Sequence, residues 1–329
     1  MKFFFIMIIS DIYKKFLKYP NISTDSRAIK KNSVFFALKG KNFNGNKYAK
    51  EALKKGAKYA IIDEVKYKLD ENYLLVNDVL KTLQDLASFH RDHLGIPIIG
   101  ITGSNGKTTS KELITSCLSS ELNTAYTKGN YNNHIGVPLT LLEMTNKHEI
   151  GIVEMGANHK GEIKFLCNIA KPNYGIITNI GKAHLEGFKN FEGVKKTKKE
   201  LYDYIKKTKG LIFLNSDDEI LSEISKEIKA ITYGKNGDIA GANVSRSIFC
   251  QVVYDNIKIK SHLIGDYQFY NIMLAIAIAK YFKIKEKNIF KSIESYKPNN
   301  NRSEVINSDK NLIILDAYNA NPSSMNKMI

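Results

Sequence analysis

IPIIGITGSNGKTTSKELITSCL, residues 96–118, is the stretch whose reading decides the fold. It opens as an apolar strand, turns through Gly103 and Gly106, and continues as a helix from Lys107. Strand, glycine turn and helix in that order aim main-chain N–H groups and the positive end of a helix dipole at one point, which suits a phosphate. Packing gives no reason for a lysine and two threonines at a helix start. Lys107 is therefore expected to reach the terminal phosphates of a nucleotide, and the Thr108 hydroxyl to ligate magnesium. Gly103, Ser104, Asn105, Gly106, Lys107, Thr108 and Thr109 form the expected nucleotide-binding loop. The strict pattern G-x-x-x-x-G-K-[ST] wants glycine where Ile101 stands, so the loop is a variant, T-G-S-N-G-K-T-T. ATP or GTP binding follows; the alternative is a glycine turn that binds nothing.

Working outward, apolar segments IGIVEM, YGIITNI and GLIFLN recur downstream, separated by helical or loop stretches. That rhythm predicts a parallel sheet covered on both faces. Residues 242–264 alternate instead and predict a small antiparallel annex, followed by a strongly apolar helix over 266–282. Upstream, VFFAL (34–38) and YAIID (59–63) are short strands around a helix from Tyr48 to Lys55, and another helix is expected from Thr82 to His93. The expected class is α/β in three parts. These are a small N-terminal α/β domain (1–92), a central P-loop parallel-sheet domain with the annex (93–298), and the start of a further domain (299–329) after the turn-rich KPNNNR.

At 329 residues, two or three such domains are affordable, and 43% hydrophobic with 25% charged residues is ordinary for a soluble protein. The net charge of +16 invites a nucleic-acid partner. However, 45 of the 49 basic residues are lysine, spread along the chain, and the arginine forks that read phosphates and base edges are scarce. No nucleic-acid partner is expected. No segment approaches the ~20 apolar residues of a membrane span, so no membrane insertion is expected either. MKFFFIMIIS is better taken as a buried strand and helix start than as a signal peptide, because no small-residue cleavage site follows. Cys117, Cys167 and Cys250 are odd in number and form no C-x-x-C pair, which points to the cytoplasm.

Four further strings follow the loop in a fixed order: TKGNYNNHIGVPLTLL (127–142), EMGANHKGEI (154–163), TNIGKAHLEGF (178–188) and VKKTKKELY (194–202). With the loop, they resemble the Mur ligase family over nearly the whole chain. The resemblance implies an ATP-dependent carboxylate–amine ligase that passes through an acyl phosphate, with two Mg2+ ions neutralising the oxygens that gather charge. Glu154 ends the strand IGIVEM, where open parallel sheets bind ligands, and offers a hard oxygen. His184 follows the next strand at the same edge and, by resemblance, ligates the second ion. In the family a lysine in a segment resembling A-K-x-E-[IL] becomes a carbamate; T-K-K-E-L puts Lys198 there, with Glu200 two places on. The bland alternative is a solvated face shared with Lys195, Lys196 and Lys199. GDYQFYNIMLAIAIA (265–279) resembles the adenine-side segment, with Asn271 on the base, although Tyr267 and Gln268 stand where His and Asn are usual.

TDSR (24–27) and the string after it resemble the family's uridine-nucleotide-binding domain, so Ser26 and Arg27 are expected at the UDP portion; alternatively this is a turn with a structural ion pair. Asn44, Gly45 and Asn46 stand where Asp-Gly-His is common. Asn132 and Asn133, in the string at 127–142, are by the same resemblance expected to bind substrate. LDAYNANPSSM (315–325) resembles the branch that adds D-alanyl-D-alanine to UDP-N-acetylmuramoyl-tripeptide in peptidoglycan synthesis. Arg302 is then expected at the phosphates, Asp316 near the ribose, and Asn319 with Asn321 in the substrate site. In the family this string opens a Rossmann-like domain of which residues 299–329 hold only the beginning, so an incomplete chain is expected. A monomer acting on small molecules is implied. The competing functions are a folylpolyglutamate synthetase-like ligase, disfavoured by TDSR, and a nucleotide-binding remnant without catalysis.

Overall fold

The computed structural model describes residues 6–181, 185–299, 301–307, 311–318 and 325. They fall into two compact units. The first comprises the described residues up to Ile96 with Thr127–Asn146 and Asn168–Lys171; the second comprises Pro97–Tyr126, Lys147–Cys167 and the described residues from Pro172 on.

The first unit is built on a four-stranded parallel sheet in the order Asn21–Ser23, Ser33–Phe36, Tyr59–Ile62, Tyr73–Leu75. Phe35, Ala37, Ala49, Ala52, Ala60 and Ile62 fill its core on one side. Helix Ile9–Lys18 buries Ile12, Tyr13 and Phe16, one stripe at helical spacing; residues 1–5, where a strand was expected, lie outside the described residues. Helix Val79–Leu94 starts where the Asp78 carboxylate accepts a hydrogen bond from Lys81 N and ends at Gly95 in the left-handed region (φ 64°), termini that contribute about 1 kcal/mol each. Asn46, 1% exposed, donates from Nδ2 to Asp63 (2.8 Å) and accepts from Asp63 N (3.0 Å). Within this unit the second asparagine of N-G-N is thus a buried staple.

The second unit carries a seven-stranded sheet in the order Ile239–Ala240, Ala230–Gly234, Leu211–Asn215, Tyr174–Ile177, Ile98–Thr102, Ile150–Glu154, Thr124–Tyr126. Every neighbouring pair is parallel. Ile101 lies opposite both Ile176 and Glu154, and Thr102 opposite Ile177, so three strands end at one level. Successive residues of a strand face opposite ways: a side chain at Gly175 would meet Leu201 and Ile205 of helix Phe191–Lys207, whereas Ile176 belongs to the core shared with helix Gln268–Tyr281. The latter helix is apolar on all sides because it is buried on all sides, between the sheet, the loop helix Lys107–Leu118 and the annex. The annex is antiparallel as expected, Ala242–Asn243, Phe249–Tyr254 and Ile257–Ile264. Asp255 and Asn256 (φ 49° and 61°) supply the two left-handed residues its tight hairpin requires. Strands Glu304–Asn307 and Leu312–Leu315 pair as an antiparallel ribbon. The α/β class with a parallel core and an antiparallel annex is thus borne out.

Candidate active site

The phosphate loop lies at the level where the three strands end. Gly103 (φ 148°) and Gly106 (φ 77°) hold conformations that side-chain-bearing residues rarely adopt, and a Cβ on Gly103 would come within 1.9 Å of Thr178 Oγ1. Lys107 curls back over the loop, donating to Gly103 O (2.7 Å) and Ser104 O (3.2 Å). Burial lowers its pKa, Glu154 opposes that shift and the nearby Arg302 charge adds to it. Helix Lys107–Leu118 starts at Gly106 with no side-chain cap among the described residues, the arrangement an anion completes. Thr108 donates from Oγ1 to Glu154 Oε2 at 3.0 Å, and both are buried, Glu154 at 1% exposure.

The loop is tied to the end of the neighbouring strand by its own Ser104 and by Thr178 and Asn179, two side chains to which the sequence assigned no role. Ser104 N donates to Asn179 O (3.0 Å), and Ser104 Oγ both donates to Gly181 O (3.1 Å) and accepts from Gly181 N (2.9 Å). The Asn179 amide meets the Asn105 backbone at two points: Asn105 N donates to Oδ1 (3.1 Å), and Nδ2 donates to Asn105 O (3.0 Å). Thr178 Oγ1 adds a second donor to Asn105 O at 2.6 Å. Net values of ~1 kcal/mol per bond are modest, but the bonds fix the peptide planes of a loop that would otherwise need ordering when a phosphate arrives. The available sequence signal was polar residues, T-N, at the end of an apolar strand, one strand away from the loop.

Lys198 sits on helix Phe191–Lys207, whose N-terminus is capped by Asn190 Oδ1 accepting from Gly193 N. It is 3% exposed, with Nζ 5.8 Å from the Phe188 ring centroid. Desolvation, and then the charge of Lys107, bring its pKa down to about 7, against the opposing pull of Glu162 and Glu200. Its neighbours behave differently: Lys195 pairs with Glu223, Lys196 with Glu192 and Lys199 with Asp203 on the outer face. The solvated face is real, and Lys198 is not on it.

On the far side of the loop helix, Asn271 is 8% exposed, accepts from Ser110 Oγ (2.9 Å) and donates to Gln268 Oε1 (2.6 Å). A Cβ on Gly106 would lie 3.1 Å from Asn271 Oδ1, so this amide touches the loop itself. The Arg302 guanidinium stacks 3.6 Å from the Tyr318 ring centroid, and its buried Nε has no hydrogen-bond partner among the described residues. Asp316 Oδ1 accepts from Ser303 N (3.0 Å). His184, Asn319 and Asn321 lie outside the described residues. Among the described residues no three His, Cys, Asp or Glu gather as a metal cluster; the hard donors the structure does bring together are the Thr108 hydroxyl and the Glu154 carboxylate.

In the first unit, Thr24–Arg27 is a turn of the kind weighed as the alternative. Asp25 accepts from Arg27 N (2.9 Å) and from the guanidinium (2.7 Å to Nη2), which holds its carboxyl down at about 2. The Arg27 side chain is 88% exposed, while Ser26 is buried and its carbonyl accepts from Lys55 Nζ. Asn133 Oδ1 accepts from Ile135 N and Gly136 N at the start of helix Gly136–Leu142, a capping duty, and Asn132 is half-buried beside it.

Comparison with known proteins agrees with this geometry. Residues 101–279 match the model of the Mur ligase middle domain, and residues 18–91 that of the Mur ligase family catalytic domain. The UDP-N-acetylmuramoyl-tripeptide–D-alanyl-D-alanine ligase of Bacillus subtilis is 35% identical over 94% of this chain and 69% of its own length; that of Escherichia coli is 30% identical over 92% and 70%. Among solved structures, MurF from Acinetobacter baumannii superposes with a TM-score of 0.83 at 31% identity, covering 93% of this chain and 69% of that one. MurF from Thermotoga maritima, in complex with ADP, gives 0.82 at 27% identity, covering 95% and 74%.

Proposed function

The chain belongs to the Mur ligase family, and on that premise we propose that it joins D-alanyl-D-alanine to the tripeptide of a UDP-N-acetylmuramoyl-tripeptide with consumption of ATP. The tripeptide carboxylate attacks the γ-phosphorus and ADP departs, leaving an acyl phosphate. The dipeptide amine then attacks the acyl carbon, phosphate leaves, and the amine loses a proton as the amide forms. The observation that supports the ATP-dependent chemistry is the convergence, in one unit, of the Lys107 loop, the Thr108–Glu154 pair and the buried Lys198 within reach of the Lys107 charge, while the substrates follow from the relatives.

Each group has a part that follows from its chemistry. Loop N–H groups and Lys107 hold the phosphates and neutralise the charge that gathers on the transferred group. Arg302, already close enough to Lys107 to influence its protonation, supplies a second cation there. Asn271 serves the adenine side and Asp316 the ribose. Thr108 and Glu154 are oxygen donors of the kind Mg2+ prefers, and with His184 and a carbamate on Lys198 they would hold two ions; when bound, the ions screen the phosphate oxygens. A neutral Lys198 amine is the nucleophile that attacks carbon dioxide, losing a proton as the carbamate forms, and burial brings its pKa to about 7, so that a large share of the amine is neutral near pH 7. Ser26 and Arg27 meet the UDP portion, and Asn132 and Asn133 the peptide. The cytoplasm suits three buried cysteines that remain free thiols, and no described helix is long and apolar enough to cross a membrane.

ADP release tests the substrate assignment. Stimulation is expected only with UDP-N-acetylmuramoyl-tripeptide and D-alanyl-D-alanine together. Stimulation by folate plus glutamate instead would move the chain to another branch of the family. No stimulation by either pair, with ADP still raising the melting temperature, would leave a nucleotide-binding protein without ligation.

A further inference from the structure

Segment Asn158–Lys164 joins the strand that ends in Glu154 to helix Glu162–Ala170. Glu162 Oε2 ties up the turn before that helix, accepting from Asn158 N (2.7 Å) and His159 N (3.0 Å), and leaves the N–H groups of the first helical turn to other acceptors. A second carboxylate arrives from elsewhere in the chain. Glu200, two residues beyond Lys198 on helix Phe191–Lys207, accepts Gly161 N at Oε1 and Lys164 N at Oε2, both at 2.8 Å. An anion at a helix N-terminus is favourable in itself, and here the N–H groups at the helix start are satisfied by a side chain from another helix and not by a local one. A two-point contact fixes rotation as well as distance, so this one sets the Lys198 helix against the segment that follows Glu154.

The same segment carries the stretch after His184 on its other side. A Cβ on Gly187 would come within 2.0 Å of Asn158 O, so the backbones there are in direct contact. Phe188 O packs as closely on Gly193, where a Cβ would lie 2.1 Å away, at the start of the Lys198 helix. Segment 158–164, residues 185–188 and helix Phe191–Lys207 thus form a closed ring of contacts, in which the first follows Glu154 and the last carries Lys198.

We propose that Glu200 is a positioning residue for a divalent-cation centre, its carboxylate bridging Gly161 and Lys164 to fix the spacing of the elements that carry Glu154 and Lys198. This rests on the assignment of those two residues as cation ligands. Glu200→Gln keeps the size of the side chain but leaves one acceptor for two N–H groups, and Glu200→Asp keeps the charge while falling one methylene short.

The test is a calorimetric titration of Mn2+ into each full chain with ADP present, alongside ADP titration in EDTA, thermal melting, and hydrogen exchange at the Gly161 and Lys164 amides. The expected result is faster exchange at those two amides and Mn2+ affinity weakened about tenfold in both variants, the scale of losing a group that orients metal ligands. ADP affinity in EDTA should stay at the wild-type value. Wild-type Mn2+ affinity in the variants would overturn the proposal while leaving the ligand assignment standing. No Mn2+ binding by the wild-type chain would remove the ligand assignment and the proposal with it. Equal losses of ADP and Mn2+ affinity, or variants that fail to fold, would make Glu200 a general structural residue and also end the proposal.

Discussion

The phosphate loop and the Thr24–Arg27 turn are both short polar segments following a parallel strand, and they are held in opposite ways. The phosphate loop is fixed from outside, by Thr178, Asn179 and Gly181 of a strand end more than seventy residues away. The turn is held largely from within: Asp25 bonds both the backbone and the guanidinium of Arg27, and that guanidinium stands in solvent. A loop fixed by distant groups has its main-chain donors set before any ligand arrives, so substitutions there should damage turnover or nucleotide affinity. An exposed arginine paired with its neighbour can exchange partners at little cost, so substitutions there should show in KM for the uridine-nucleotide substrate alone.

The largest effect should come from Lys107→Ala, which removes the cation from the centre of the loop; kcat should fall about a thousandfold, read by ADP release. Lys198→Ala should follow at a hundredfold or more, and added bicarbonate should not restore it, whereas bicarbonate should restore wild-type protein assayed in carbon-dioxide-depleted buffer. Full activity of Lys198→Ala would end the carbamate assignment. The pKa of about 7 also gives a sign. At fixed dissolved carbon dioxide the neutral amine becomes more abundant as pH rises from 6 to 8, so half-activation should need less carbon dioxide at the higher pH. Because this lysine is protonated more readily unfolded than folded, its contribution to stability should also improve with pH from about 7 up to its ordinary value. A flat activation profile would mean that Lys198 is not the group being modified.

Asn179→Ala sharpens the comparison directly. It removes both contacts to the Asn105 backbone, leaves Lys107 and Thr108 in place, and should weaken ADP binding about tenfold, the worth of two hydrogen bonds that preorder a binding loop. Unchanged ADP affinity would mean that Thr178 and Ser104 suffice to shape the loop. At the other end, Arg27→Ala should raise KM for the uridine-nucleotide substrate about tenfold through loss of a charge-assisted contact, with kcat and ADP affinity unchanged. A fall in kcat instead would show that the turn does more than hold the substrate.

What could be read from sequence divides along the same line. The phosphate loop, the Glu154 strand end and the annex are written in consecutive residues, as glycines before a lysine, an apolar run closing on a carboxylate, and alternation between turns. Lys198 could be named by resemblance, but only packing separates it from Lys195, Lys196 and Lys199. The roles of Asn179 and Glu200 depend on strand order and helix placement. Tyr174–Ile177 adjoins Ile98–Thr102 across a wide gap in sequence, and nothing within T-N-I-G announces that. Asn133 and Asn46 show the converse: each has its side-chain oxygen engaged in a local structural duty, at a helix start or on Asp63, which a motif string cannot distinguish from a ligand contact.

The smallest effect is the most discriminating. Asp25→Asn keeps an oxygen to accept from Arg27 N, so the turn should persist, but it removes the charge that holds the guanidinium. If Arg27 serves a diphosphate by leaving Asp25, the variant spares it that exchange, and KM for the uridine-nucleotide substrate should fall about two- to threefold, the scale of an exposed ion pair. The gain should shrink as salt rises, because screening weakens the lost pair in the wild-type chain too. If instead Asp25 aims the guanidinium at the substrate, the variant should raise KM as Arg27→Ala does. The two ends of the comparison would then be alike, each with its phosphate-binding group held in place by a partner.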